Sequence, residues 1–209
     1  MKVVIFDMDG TLVDTKKDIT ISINYVRELN HAFPPLSEGF IVEAINMQER
    51  SLPKLFYGTD VYLKSDRDIF EEHYNRQCIQ NPYLYEGIEE TLQKLYEYGI
   101  KLSVATNAPT QFAQRILASL HVENYFDVIV GADRVKASKP DPKMIKYILT
   151  HYEFEHKKDS AWMVGDNSKD IISAQSAGIQ SLFATWGFSP KSTYKATVNK
   201  PEEILEIVL

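Results

Sequence analysis

Two aspartates, Asp7 and Asp9, stand directly behind the apolar run Val3-Val4-Ile5-Phe6, and Gly10-Thr11 follows them. Short continuous apolar runs mark buried parallel strands. These carboxylates are therefore expected at the carboxyl end of such a strand, the edge at which open α/β sheets bind ligands. Three more polar clusters stand behind later apolar runs: Thr106-Asn107, Lys139-Pro140 and Gly165-Asp166-Asn167-Ser168-Lys169-Asp170. In a parallel sheet all these ends face one edge, so residues far apart in sequence converge there. Carboxylates gathered so closely repel one another unless a cation neutralises them. Oxygen donors without histidine or thiol suit Mg²⁺, which keeps some water and pairs with substrate phosphate. One carboxylate can then act as a nucleophile through an aspartyl-phosphate. A lysine, a threonine hydroxyl and loop N–H groups would hold the other phosphoryl oxygens. Asp9 can protonate the leaving oxygen and later deprotonate water.

The elements that must position these groups are legible as an alternation of apolar runs and amphipathic helices. Residues 3–6, 101–105, 128–130, 161–164 and 181–184 read as five strands. Ile88, Leu92 and Leu95 share a helix face that ends at Gly99, and Ala113, Ile116, Leu117 and Leu120 make the next stripe. Asp141 reads as an N-cap with Pro142 at the first helical position, ahead of Ile145, Ile148 and Leu149. A helix with Ile171, Ile172 and Ala174 stops at Gly178, and Pro201 opens a last one. The fold class expected is α/β: a Rossmann-like parallel sheet with helices on both faces.

Residues 16–83 break the alternation. Ile19, Ile23 and Val26 recur at helical spacing, as do Phe40, Ala44 and Met47, and Ile69, His73 and Arg76 mark a third, polar helix. A crossover needs far fewer residues. The stretch is read as a small α-helical cap domain inserted after the first strand, leaving 1–15 and 84–209 as the catalytic core.

Composition bounds the rest. The chain has 209 residues, 44% of them hydrophobic and 25% charged, as in ordinary globular proteins. Its net charge of −6 speaks against a nucleic-acid partner, which needs a basic stripe. A single cysteine, Cys78, excludes an internal disulfide and a cysteine zinc cage. No apolar stretch approaches a membrane span, and Met1-Lys2-Val3 runs straight into the first strand without a signal peptide. A cytoplasmic location is expected, and the oligomeric state is not readable.

Asp7-Met8-Asp9-Gly10-Thr11-Leu12-Val13-Asp14 resembles the first motif of the haloacid dehalogenase superfamily, and the other three clusters match its later motifs in order. The resemblance implies roles. Asp7 would be the nucleophile and a Mg²⁺ ligand; Asp9 would be the general acid/base and lend its backbone carbonyl to the metal. Asp166 would complete the metal site, supported by Asp170. Thr106, Asn107 and Lys139 would bind the substrate phosphate. Dehalogenating members lack the second aspartate, so Asp9 favours phosphate chemistry. Asp14-Thr15-Lys16-Lys17-Asp18-Ile19 and Thr106-Asn107-Ala108-Pro109-Thr110 are most similar to phosphoglycolate phosphatases. The implied activity is Mg²⁺-dependent hydrolysis of a small phosphorylated metabolite, with the cap closing over the substrate. Phosphoglycolate is the first candidate; sugar phosphates, nucleotides and pyrophosphate are alternatives. Relatives that isomerise sugar phosphates, of the β-phosphoglucomutase type, carry a histidine where this chain has Ile19, which counts against a mutase. A non-catalytic phosphate-binding protein is the third alternative, opposed by intact Asp7, Asp9, Lys139 and Asp166.

Each residue alone has a plainer reading. Asp166 or Asn167 can cap the following helix, and Thr106-Asn107 would pass as turn chemistry. Capping does not, however, require four clusters at one sheet edge. Elsewhere the plainer reading holds. Tyr83, Tyr85, Tyr96 and Tyr98 are read as packing, Cys78 as a small buried residue, and the five histidines show no ligand spacing. Arg50, in the segment 48–52, is read as a surface or ion-paired arginine rather than a ligand for a substrate carboxylate.

Overall fold

The computed structural model describes residues 1–47, 50–189 and 193–209. The chain opens with β1 (Lys2–Phe6) and the two-residue β2 (Val13–Asp14). Four helices follow: α1 (Lys16–His31), α2 (Glu38–Asn46), α3 (Leu52–Tyr57) and α4 (Lys64–Gln77). Next come β3 (Tyr83–Leu84), α5 (Ile88–Glu97), β4 (Lys101–Ala105), α6 (Thr110–Ser119), β5 (Val128–Val130) and α7 (Lys143–His151). The chain closes with β6 (Ser160–Gly165), α8 (Ser168–Ala177), β7 (Gln180–Ala184), β8 (Thr197–Val198) and α9 (Glu203–Val208). These elements form two compact units, Met1–Asp14 with Tyr83–Leu209, and Thr15–Pro82.

The first unit carries a parallel sheet in the order β5-β4-β1-β6-β7-β8. From β1 the chain winds outward through β4 to β5, then returns to the other side of β1 for β6, β7 and β8. The winding thus reverses between β1 and β6, where an α/β sheet opens a crevice beyond its carboxyl ends. Phe6 pairs with Val164 in register, so the residues that follow each strand leave the sheet side by side. Val3, Val4, Ile5 and Phe6 are wholly buried. Val3 and Ile5 pack with Met144, Ile145 and Ile148 of α7 and Ala174 of α8, and alternation turns Val4 and Phe6 to the opposite face.

Local signals end these helices much as the residue types demand. Gly178, at φ +76°, caps α8 and donates its N–H to the carbonyls of Ala174 and Gln175. The N-cap of α7 is Pro142 rather than Asp141, so the helix starts one residue later than expected, while Asp141 accepts the Lys143 N–H at 2.9 Å in the turn before it. The sheet also has a sixth strand, β8, and β2 pairs with β3 in an antiparallel ladder. All three span two residues each, too short to show a hydrophobic period.

The second unit is helical. Ile23 and Val26 of α1 pack with Ile41, Ala44, Phe56 and Tyr57. Arg27 is buried among them, its guanidinium donating to the carbonyls of Pro34 and Phe56. Asp18, in the first turn of α1, accepts the Asn81 N–H at 2.9 Å and the side-chain amides of Asn81 and Gln77 at 2.7 and 2.8 Å. That buried carboxylate ties together the two ends of the unit. The short helix α3, opened by Pro53, lies where residue spacing announced nothing. Among the described residues no helix is long and apolar enough to cross a membrane.

Candidate active site

The site begins where β1 ends. Asp7 still donates its N–H to the Val164 carbonyl, 2.8 Å away, so its backbone remains part of the sheet. The chain then folds tightly back: the N–H groups of Thr11, Leu12 and Val13 all point at the Met8 carbonyl, at 3.1, 2.9 and 3.0 Å. Gly10 makes the reversal at φ +83°, and a Cβ there would lie 2.5 Å from Asp166 Oδ2. Only glycine meets both conditions without strain.

Beyond β4, Thr106 keeps its N–H on the Val130 carbonyl at 3.0 Å, and its hydroxyl lies 3.5 Å from Asp9 Oδ2 while accepting the Ala108 N–H. Asn107 turns the other way. Its amide nitrogen donates to the Lys139 carbonyl and its oxygen accepts the Lys139 N–H, both at 3.0 Å. This reciprocal pair fixes the backbone from which Lys139 reaches inward, and the Lys139–Pro140 peptide is cis. The buried Lys139 Nζ lies 2.8 Å from Asp7 Oδ1 and 2.6 Å from Asp170 Oδ1.

After β6 the capping reading and the site reading are both met, by different residues. Asn167 and Asp170 form a capping box on α8, which leaves Asp166 free of that duty. Asp166 instead takes its N–H to Thr11 Oγ1 at 3.1 Å, and its oxygens accept from the Thr11 hydroxyl at 3.3 Å and the Phe188 N–H at 2.7 Å. Gly165 gives Asp170 its space, since a Cβ there would collide with the Asp170 carboxyl.

Electrostatically the cluster is short of positive charge. Burial, then the neighbouring Asp7 and Asp170, push the Asp166 carboxyl up to about 8. Burial and Asp7 also raise Asp170, against the pull of Lys139. For Lys139, burial acts to lower the pKa, but Asp170 and Asp7 outweigh it and hold the ammonium well above its usual range. One ligand oxygen from each of Asp7, Asp166 and Asp170 lies within 4.8 Å of the others, all three side chains buried. Buried oxygens gathered around the Lys139 ammonium fit a small hard divalent cation that retains part of its water.

Asp7, Asp166, Asp170 and Lys139 are therefore brought together directly. Asp9 and Thr106 meet beside them, and Asn107 enters through the Lys139 main chain. Three participants carried no readable motif role. Thr11 bonds Asp166, Phe188 does so through its backbone, and the Tyr85 phenol lies in the field of the same carboxylates. Burial, then Asp14, Asp166, Tyr83 and Asp9, raise that phenol well above its usual range. A Thr following Asp-x-Asp-Gly was visible; a backbone N–H never is. Arg50 donates to the Met47 carbonyl within the helical unit, and Gln48 and Glu49 of its segment lie outside the described residues.

A doubly wound parallel sheet, a helical insertion behind its first strand and an acidic cluster at its switch point define a class of capped α/β hydrolase folds. The chain belongs to the haloacid dehalogenase-like hydrolase family, whose model matches residues 4–184, and within it is phosphoglycolate phosphatase-like. It is 30% identical over 199 residues to a phosphoglycolate phosphatase of Haemophilus influenzae, covering 90% of this chain and 87% of that protein. It is 31% identical over 208 residues to a protein of Caldanaerobacter subterraneus provisionally named pyrophosphatase PpaX, covering 97% and 89%. The crystal structure of a candidate phosphatase from Clostridium difficile superimposes with a TM-score of 0.79 at 30% identity, covering 99% of this chain and 98% of that one.

Proposed function

We propose that this protein is a Mg²⁺-dependent phosphatase that hydrolyses a small phosphomonoester through an aspartyl-phosphate on Asp7. The observation that carries the reading is the burial of Asp7, Asp166 and Asp170 with ligand oxygens within 4.8 Å of one another. Asp7, Asp166 and Asp170, with the Asp9 backbone, are the groups to hold Mg²⁺. Bound there, the ion supplies positive charge for the carboxylates and for the phosphoryl oxygens.

In the first half-reaction an Asp7 oxygen attacks phosphorus, and the bond from phosphorus to the leaving oxygen breaks. Asp9 gives that oxygen its proton. In the second, Asp9 takes a proton from water as the water oxygen attacks the same phosphorus, which frees inorganic phosphate and restores Asp7. Lys139 and the Thr106 hydroxyl hold the phosphoryl oxygens, while Asn107 holds Lys139 in place. The geometry favours Asp7 as nucleophile, because the Lys139 ammonium holds its Oδ1 at 2.8 Å and so fixes the carboxyl in the site.

Phosphoglycolate is the first substrate to test and pyrophosphate the second, following the names of the two similar proteins. Ile19 lies in α1 packed against the core of the helical unit and offers no proton for a mutase. The test is phosphate release from a panel of phosphomonoesters and pyrophosphate with Mg²⁺, ranked by kcat/KM. Asp7→Asn is expected to remain folded and to release no phosphate. Wild-type turnover by Asp7→Asn would sink the mechanism.

A further inference from the structure

A fifth segment touches the acidic site, and none of the four sequence clusters contains it. It is the loop behind β7, at residues 185–188. The indole N–H of Trp186 donates to the Thr11 carbonyl at 2.9 Å. Gly187 packs on the first loop so closely that a Cβ would strike the Gly10 carbonyl oxygen and lie 2.6 Å from Asp166 Cβ. The Phe188 N–H donates to Asp166 Oδ2 at 2.7 Å. Its ring edge borders Gly10, where an added Cβ would come within 3.0 Å of Phe188 Cδ2. Asp166 is consequently gripped on both oxygens, by the Thr11 hydroxyl on Oδ1 and by this loop on Oδ2.

We propose that Trp186, Gly187 and Phe188 are positioning residues of the cation site, with the Phe188 main-chain N–H setting the orientation in which Asp166 meets Mg²⁺. The inference rests on the reading of Asp166 as a metal ligand. A carboxylate free to rotate loses that freedom each time it binds an ion. One already held by an outer hydrogen bond does not, and losing such a partner typically weakens metal binding about 10- to 100-fold. The loop is suited to this work because its contacts fall on the two chain segments that must stay in register, the Gly10-Thr11 turn and Asp166. Gly187 has to lack a side chain for the backbone to come close enough. The donor is a peptide group, so replacing the Phe188 side chain leaves it intact.

The experiment is calorimetric titration of Mg²⁺ into the 209-residue chain without substrate, alongside thermal melting of the metal-free forms. Phe188→Pro, which removes the N–H, should bind Mg²⁺ about 10- to 100-fold more weakly than wild type. Phe188→Ala, which keeps it, should stay within a few-fold of wild type. Should Phe188→Pro fail to fold, Gly187→Ala replaces it in the same comparison. Independently, in a Trp162→Phe protein Trp186 is the sole tryptophan, and its emission should change as Mg²⁺ saturates. A folded Phe188→Pro or Gly187→Ala protein with wild-type Mg²⁺ affinity overturns the inference. So does an equal loss in Phe188→Ala and Phe188→Pro, or a Trp186 emission indifferent to Mg²⁺. No Mg²⁺ binding by the wild type would overturn the metal reading and this inference together, whereas equal binding by wild type and variants overturns this one alone.

Discussion

Lys139 and Asp7 form a buried ion pair across 132 residues of sequence, with Nζ 2.8 Å from Oδ1. The same ammonium serves Asp170, so one positive charge stands between two carboxylates. This pairing gives the lysine a structural duty alongside the phosphate-binding duty proposed for it.

Lys139→Met should therefore cost stability as well as activity. It leaves Asp7 and Asp170 buried without their cation, and removing one member of a buried pair costs about 3–5 kcal/mol. Urea unfolding is expected to show a clearly lower midpoint, partly restored by Mg²⁺, with phosphate release lost. An unchanged midpoint would show that the carboxylates do not depend on this ammonium.

Gly10→Ala should separate function from folding. The left-handed backbone costs an alanine about 1–2 kcal/mol, and the new Cβ would press on Asp166 Oδ2 at 2.5 Å. A modest fall in Tm with a much larger fall in kcat/KM is expected. Equal proportional losses would mean that the turn matters only for the fold.

Chelation should stop turnover, and Mg²⁺ should stabilise the folded chain. A ligand at a hundred times its Kd adds about 2.7 kcal/mol, so Tm should climb with Mg²⁺ concentration. In Asp166→Asn that climb should shrink or vanish. A full Mg²⁺ effect in this variant would remove Asp166 from the ligand set.

Asp133 offers a test of pH dependence away from the cluster. It accepts the Thr110 N–H at 2.6 Å and the Thr110 hydroxyl at 2.8 Å, satisfying the start of α6. Burial acts to raise its pKa, but these hydrogen bonds outweigh it and hold the carboxyl below its usual value. A depressed folded-state pKa means that the stabilisation is present above the unfolded value of about 3.9 and fades as pH falls through the folded one. Asp133→Ala should lose about 1 kcal/mol at neutral pH, as other helix caps do. The gap should close as pH falls through the folded-state value. A gap that persists in acid would mean the side chain acts by packing.

The alternating architecture was readable because the strands are short and mostly apolar, β1 with the unbroken run Val3-Val4-Ile5-Phe6, and the crossover helices have faces such as Ile88, Leu92 and Leu95. Elements of two residues, β2, β3 and β8, show no period, and their pairing comes from the chain around them. Among site residues, the carboxylates and Lys139 declared themselves by type and by place behind a strand. Asn107 declared its presence but not its partner. That its amide clasps the Lys139 main chain depends on how two loops 32 residues apart meet. Tyr85, read as packing, does pack edge to face on Tyr83, and what no local pattern announced is that its N–H returns to the Leu12 carbonyl beside β2.

By itself the sequence determined the donor types and the edge at which they gather, because strand polarity sends every group behind a parallel strand the same way. It also determined which residues could cap and which could turn, since those are local properties of Gly10, Asn167 and Gly178. Tertiary structure alone decided that β6, not β5, lies beside β1, and so that Asp166 stands next to Asp7. It decided too that a loop from residues 185–188 grips Asp166 through a peptide N–H. Such a group is identical in every residue but proline, and only its position in space gives it a role.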